Sequence, residues 1–181
     1  MDQMTTAAGA GAGSRVRRVV ADDGTGLHCE VFGAGRDDAP PLLLVQGGVS
    51  EAGATRQLAD RLAQRFRVIS YDRRGLSRSD ARVPPAGISL WRHAADAAAV
   101  VTAVAARPAV VLGSSIGALI GLHLAVAHPD VVSTVIAHEP PMSTVIGDPE
   151  REAGLDRVAA AARHDVFAAV AEMGALIGGD R

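Results

Sequence analysis

Ser115 is the residue around which chemistry could be organised. It stands in G-S-S-I-G, Gly113 to Gly117, with an apolar run on either side. Gly-x-Ser-x-Gly between a strand and a helix puts a hydroxyl on a sharp, strained corner, and the two glycines let strand and helix cross closely. The N–H of Ile116 opens the helix, where partial positive charge favours a developing oxyanion. A second donor belongs in the loop after Leu42–Val45, where Gly47-Gly48 leaves the backbone free to approach. A serine nucleophile also needs a histidine, and the histidine a carboxylate.

The elements that must position these residues are legible in the pattern. Val16–Ala21 and Leu27–Gly33 read as the strands of a hairpin around the turn Asp22–Gly26. P-L-L-L-V-Q-G-G is a continuous apolar run ending in glycines, the form of a parallel strand covered on both faces. Ala54–Arg65 carries Leu58 and Leu62 at helical spacing among charges, which predicts an amphipathic helix. Arg67–Asp72 is the next buried strand, followed by a loop to Gly87. A helix is expected over Leu90–Ala106, a strand over Ala109–Gly113, a helix over Ile116–His128 and a strand over Val131–Ala137. Beyond Gly147 the composition is helical, in one or two helices. Residues 1–14 read as a flexible Ala/Gly tail.

Alternation of strand and helix predicts an α/β fold, a mostly parallel sheet with helices on both faces. Ligands bind such sheets beyond the carboxyl ends of the strands. Gln46–Gly48, Asp72–Gly75, Ser114–Ile116 and His138-Glu139 all fall there.

The 181 residues suffice for one domain with a real core. A net charge of −2 offers no basic field for nucleic acid and no polybasic patch for a membrane surface. All 18 basic residues are arginine, which excludes a Schiff-base, cofactor-anchoring or P-loop lysine. Cys29 is the sole cysteine, so no internal disulfide forms, and neither a metal nor a cofactor is expected. The N-terminal residues lack the form of a secretory signal, and no apolar run is long enough to span a membrane, so a cytoplasmic protein is expected.

From about Val16 to about Pro141 the chain resembles the α/β-hydrolase superfamily. L-L-L-V-Q-G-G is similar to its oxyanion strand and loop. V-I-S-Y-D-R-R-G-L-S-R-S is similar to its fourth strand and the loop after it. V-V-L-G-S-S-I-G-A-L-I-G-L-H-L-A-V-A-H-P-D-V-V resembles its nucleophile elbow, and A-H-E-P-P the end of its sixth strand. The resemblance implies a serine hydrolase acting on a small ester-like substrate. Ser115 would be the nucleophile, and the N–H groups of Ile116 and Gly48 the oxyanion donors. Gln46 stands where the family usually has histidine, which implies altered loop geometry more than lost chemistry.

The family takes its acid after a seventh strand and its histidine after an eighth. Here the resemblance implies an α/β-hydrolase fold truncated after the sixth strand, residues 15–147, with 148–181 as the helical start of a cap. Glu139 is the stand-in for the acid, against the plainer reading of a loop carboxylate held by Arg73 or Arg74. The histidines, His28, His93, His123, His128, His138 and His164, read as solvated or packing residues, with His138 and His164 the two bases worth testing. Arg73, Arg74 and Arg78 read as a solvated loop paired with Asp72 and Asp80 rather than as a site for an acidic substrate. Asp72 is expected to pin its own loop. Trp91 and Phe167 are expected in the core rather than lining the pocket.

Without a seventh strand, V-V-S-T-V-I-A becomes an exposed apolar edge. That implies either a partner chain supplying the remaining strands, self-association through the edge, or an unstable fragment. Three functions remain open on sequence: a serine esterase, a catalytically inactive fragment or binding remnant, and cofactor-free haloperoxidase or perhydrolase chemistry.

Overall fold

The computed structural model describes residues 13–33, 38–48, 50–80 and 87–178. Most of the expected N-terminal tail lies outside them, as do residues 34–37 and 81–86 of the two expected loops. The chain forms two compact units, one ending at Pro140 and the other starting at Pro141.

The first unit is built on a six-stranded sheet: β1 Ser14–Val20, β2 Gly26–Phe32, β3 Pro41–Val45, β4 Arg67–Tyr71, β5 Ala109–Ser114 and β6 Val132–His138. The strand order is β1-β2-β4-β3-β5-β6. β1–β2 and β2–β4 pair antiparallel, whereas β3–β4, β3–β5 and β5–β6 pair parallel. The parallel crossovers need helices, and three supply them: α1 Arg56–Leu62, α2 Leu90–Ala105 and α3 Ile116–Ala127.

β3 shows why its sequence is an unbroken apolar run. Leu43 and Val45 belong to a core shared with Ile69, Tyr71 and Val111, against Ala97, Val100 and Val101 of α2 and Ile120 and Leu124 of α3. Leu42 and Leu44 belong to a second core with Phe32, Val68 and Ala59 of α1. Helices therefore cover both faces, as the α/β alternation requires. Each large apolar side chain buried this way contributes about 1.5–3 kcal/mol.

α1 differs in detail from its sequence pattern. Its buried residue is Ala59, while Leu58 is 43% exposed and Leu62 only partly buried. A small side chain lets the helix lie close against Phe32 and Val68, and that closeness rotates Leu58 outward. α2 begins at Ser89, whose hydroxyl accepts the Arg92 N–H at 3.2 Å, and ends on Ala106 in the left-handed region at φ 57°.

The second unit comprises α4 Ser143–Ile146, α5 Pro149–Ala162 and α6 Val166–Gly178. The short α4 has no counterpart in the sequence expectation. Asp148 caps α5 through the Arg151 N–H at 3.0 Å, with Pro149 at the first turn. Gly154 of α5 meets the Leu176 side chain of α6, and Ala169 is buried.

Candidate active site

β5 ends at Ser114 and α3 starts at Ile116, so the whole reversal of the chain falls on Ser115. Its backbone sits at φ 54°, ψ −125°, which costs a side-chain-bearing residue about 1–3 kcal/mol. Surrounding bonds hold it there. The Ser115 N–H donates to the His138 carbonyl at 2.9 Å, and the Ser115 carbonyl accepts from Ala118 N–H at 2.9 Å. The flanking glycines are needed for space. A Cβ on Gly113 would lie 2.2 Å from the Gly117 carbonyl oxygen, and one on Gly117 would lie 2.1 Å from that of Val45. Ser115 is exposed, and the N–H of Ile116 has no acceptor within its own helix.

The loop after β3 comes up against this corner. A Cβ on Gly47 would be 3.0 Å from both the Ser114 carbonyl oxygen and Ser115 Cβ. Gly48 follows, exposed and at φ 48°, a conformation that favours glycine. Gln46 is buried; its amide nitrogen donates to Ser70 Oγ and, at 3.2 Å, to Thr55 Oγ1. The glutamine thus ties the loop to β4 and to the turn at Ala52–Thr55.

A second set of ties comes from the loop after β4. Asp72 is fully buried and accepts the Ala52 N–H at 2.7 Å, the Arg78 N–H at 3.1 Å and Arg78 Nε at 2.9 Å. Burial opposes its ionisation, but these donors outweigh it and hold the carboxyl below its ordinary range. Asp72 therefore pins its own loop, and the loop after β3 with it. Glu30, only 1% exposed, joins Arg78 at 2.7 Å to Arg56 at 2.8 Å.

Arg78, 42% exposed and paired with Asp72, fits the expected loop, whereas Arg73 and Arg74 depart from it. Arg74 is buried and grips Asp96 of α2 through two bonds of 2.6 Å, with a third contact to Asp23 at 2.8 Å. Arg73 is also buried, donates to the Gly48 carbonyl, and pairs with no carboxylate among the described residues. Asp80 pairs with Arg18 instead. Asp96 and Glu30 went unrecognised in the sequence. Asp96 did carry a signal, as the one acid on the Ala/Val face of α2.

Glu139 follows β6 at φ 49° and is exposed. Among the described residues it has no ion pair, so neither Arg73 nor Arg74 holds it. No histidine side chain hydrogen-bonds to Ser115 among them either. His138 is exposed at the end of β6, and His93 is buried on α2. His123 Nδ1 meets the Leu119 carbonyl at 2.8 Å and its ring packs edge-on against Trp91. His164 lies in the second unit, between α5 and α6. Trp91 and Phe167 are 55% and 83% exposed, so neither is a core residue.

Cys29 is buried, and burial pushes its thiol up to about 12, which leaves it unreactive. Among the described residues no group of three or more His, Cys, Asp and Glu could hold a metal ion. Among the described residues no helix is long and apolar enough to cross a membrane.

Known proteins are similar to this chain. A hydrolase of Bacillus subtilis, YraK, of uncharacterised activity, is 40% identical over 117 residues, covering 65% of this chain and 42% of its own. A protein of Azorhizobium caulinodans named as the putative carbamate hydrolase RutD is 38% identical over 109 residues, 60% of this chain and 39% of its own. The chain thus spans about two fifths of these relatives. Among solved structures, an alpha/beta hydrolase from Sphaerobacter thermophilus superposes with a TM-score of 0.70 at 32% identity, covering 91% of this chain and 62% of that one. Est816, described as an N-acyl homoserine lactone degrading enzyme, superposes at 0.67 with 26% identity, covering 85% and 54%. The family model for the alpha/beta hydrolase fold matches residues 40–174, and the chain belongs to that family.

Proposed function

We propose that this chain carries the nucleophile half of a serine hydrolase acting on ester-like acyl substrates. The observation that carries the reading is Ser115 itself: exposed, held at φ 54° between β5 and α3, and set against Gly47. Ser115 Oγ attacks the acyl carbonyl carbon and the bond to the leaving group breaks, leaving an acyl-serine that water hydrolyses. The oxyanion of each tetrahedral intermediate is met by the N–H groups of Ile116 and Gly48. The proton of Ser115 must pass to a base, and Glu139 is the acid candidate that would orient it. Relatives named for carbamate and lactone substrates support an acyl carbonyl bearing a heteroatom leaving group.

The test is labelling of the 181-residue chain with a fluorophosphonate, read by intact mass beside Ser115→Ala. Stoichiometric labelling lost in the variant supports an activated serine. A second reading, a binding module without turnover, is favoured by one observation: no described histidine side chain reaches Ser115. Absent labelling together with retained binding of an ester analogue would select it.

We also propose that β6 is an association edge. It pairs with β5 on one side and with no strand on the other among the described residues, and Ile136 is 48% exposed. Its occupant is a strand from another copy or from a partner chain.

A further inference from the structure

Gly47 and Gly48 follow β3 as consecutive glycines, the freest backbone a chain can place at a site. Gly47 is confined by its surroundings. A Cβ there would stand 3.0 Å from both the Ser114 carbonyl oxygen and Ser115 Cβ, and its carbonyl accepts the Ser50 N–H at 3.2 Å. Gly48 lacks such packing: it is exposed, and a Cβ there would meet nothing within 4 Å. Yet it stands at φ 48°, one conformation among the many open to it.

What grips Gly48 is a side chain from the loop after β4. The Arg73 guanidinium donates through Nη2 to the Gly48 carbonyl. Arg73 is no surface arm, being only 4% exposed. Arg74 and Arg78 are engaged by acids, whereas Arg73 has no carboxylate partner among the described residues. A buried cation without a counter-charge is costly, and an apolar side chain of similar volume would pack there without that cost. The mounting of the donor is itself fixed. Asp72, the residue before it, is tied to Ala52 and Arg78, and the Arg73 carbonyl accepts the Leu76 N–H at 3.0 Å. A rigidly mounted donor thus meets the most pliant part of the loop after β3.

We propose that Arg73 is a positioning residue for the oxyanion hole, holding the Gly48 carbonyl so that the Gly48 N–H keeps one direction; this rests on the reading of that N–H as an oxyanion donor. The N–H lies between two fixed points, Gly47 against Ser115 on one side and the clamped carbonyl on the other. Arg73 acts through Gly48 and not on the substrate.

The experiment uses the 181-residue chain and two readouts. Nitrogen-15 relaxation of the Gly48 N–H should give an order parameter of about 0.85 in the native chain and below about 0.6 in Arg73→Met. Arg73→Lys, which keeps a cationic donor, should stay close to native, and the amides of β5 should keep their values in all three. The second readout is the saturation kinetics of fluorophosphonate labelling. Labelling joins Ser115 Oγ to phosphorus, expels fluoride and passes the serine proton to a base, while charge builds on the phosphoryl oxygen. Arg73→Met should lower the maximal labelling rate about tenfold with the half-saturating concentration unchanged, and Arg73→Lys should recover most of it. A native chain that takes no label, with Gly48 still released by Arg73→Met, ends the serine reading and leaves the clamp standing. A Gly48 already below about 0.6 in the native chain overturns the proposal whether or not Arg73→Met folds. Equal rigidity of Gly48 in native and Arg73→Met chains, or labelling undiminished in Arg73→Met, overturns it as well.

Discussion

The backbone N–H of Ser115 donates to the carbonyl of His138 across 2.9 Å, so the corner after β5 is fastened to the last residue of β6. This bond helps keep Ser115 at φ 54°, where a side chain is disfavoured. Ser115→Gly should therefore raise stability by about 1 kcal/mol in urea unfolding, whereas Ser115→Ala should not. Both should lose fluorophosphonate labelling. A glycine variant no more stable than the alanine variant would mean the corner is unstrained.

Gly117 and Gly174 are both helical glycines with opposite surroundings. A Cβ at Gly117 meets the Val45 carbonyl oxygen at 2.1 Å, while one at Gly174 meets nothing within 4 Å. Gly117→Ala should cost more than about 3 kcal/mol or prevent folding. Gly174→Ala should stabilise by about 0.5–1 kcal/mol. Thermal unfolding of the two variants side by side checks the contrast.

His93 makes stability depend on pH. Burial, then the charges of Arg73 and Arg74, lower its pKa to about 4 from an ordinary 6.5. Between these values the unfolded chain binds the proton and the folded chain does not. Stability is then highest above about pH 6.5 and falls as the pH drops towards 4, by at most about 3 kcal/mol. His93→Gln should flatten this portion of the profile. An unchanged slope in the variant would assign the effect to other groups.

Asp72 is expected to be the costliest acid to neutralise. Asp72→Asn removes the charge that meets Arg78 and weakens the tie to Ala52. A loss of about 1–3 kcal/mol is expected, because the buried side chain no longer matches the donors of Ala52 and Arg78 that face it. Limited proteolysis should find the segment around Ala52 cut faster. Equal cleavage of variant and parent would show that the loop is held by Gln46 alone.

The β6 edge should drive association. Sedimentation of the 181-residue chain is expected to be concentration-dependent, and Ile136→Lys should shift it towards monomer, since an edge lysine opposes strand pairing. A native chain that stays monomeric at high concentration would remove the edge proposal.

The sheet was legible because each strand carries a local signature. The unbroken Leu42–Val45 run predicts burial on both faces, and both cores are there. Gly113 and Gly117 announced a close crossing because only tight packing needs two glycines around one serine. What escaped was set by distant partners. The face of α1 turns on how closely Ala59 approaches Phe32. Glu30 occupies a polar position of an alternating strand, yet Arg56 and Arg78, 26 and 48 residues away, cover it. Arg74 and Asp96 meet only once α2 is docked. Ionic pairing over such separations has no periodicity to read.

The place of β6 in the sheet has a dynamic consequence. A marginal strand exchanges its amide protons soonest, because fewer bonds must open to release it. The bond that steadies Ser115 ends on that strand. Each breathing motion of the sheet margin thus also loosens the serine, and hydrogen exchange at β6 and at Ser115 should rise and fall together. A strand laid against β6 would quiet both at once, making occupancy of the edge a setting for the rigidity of the corner.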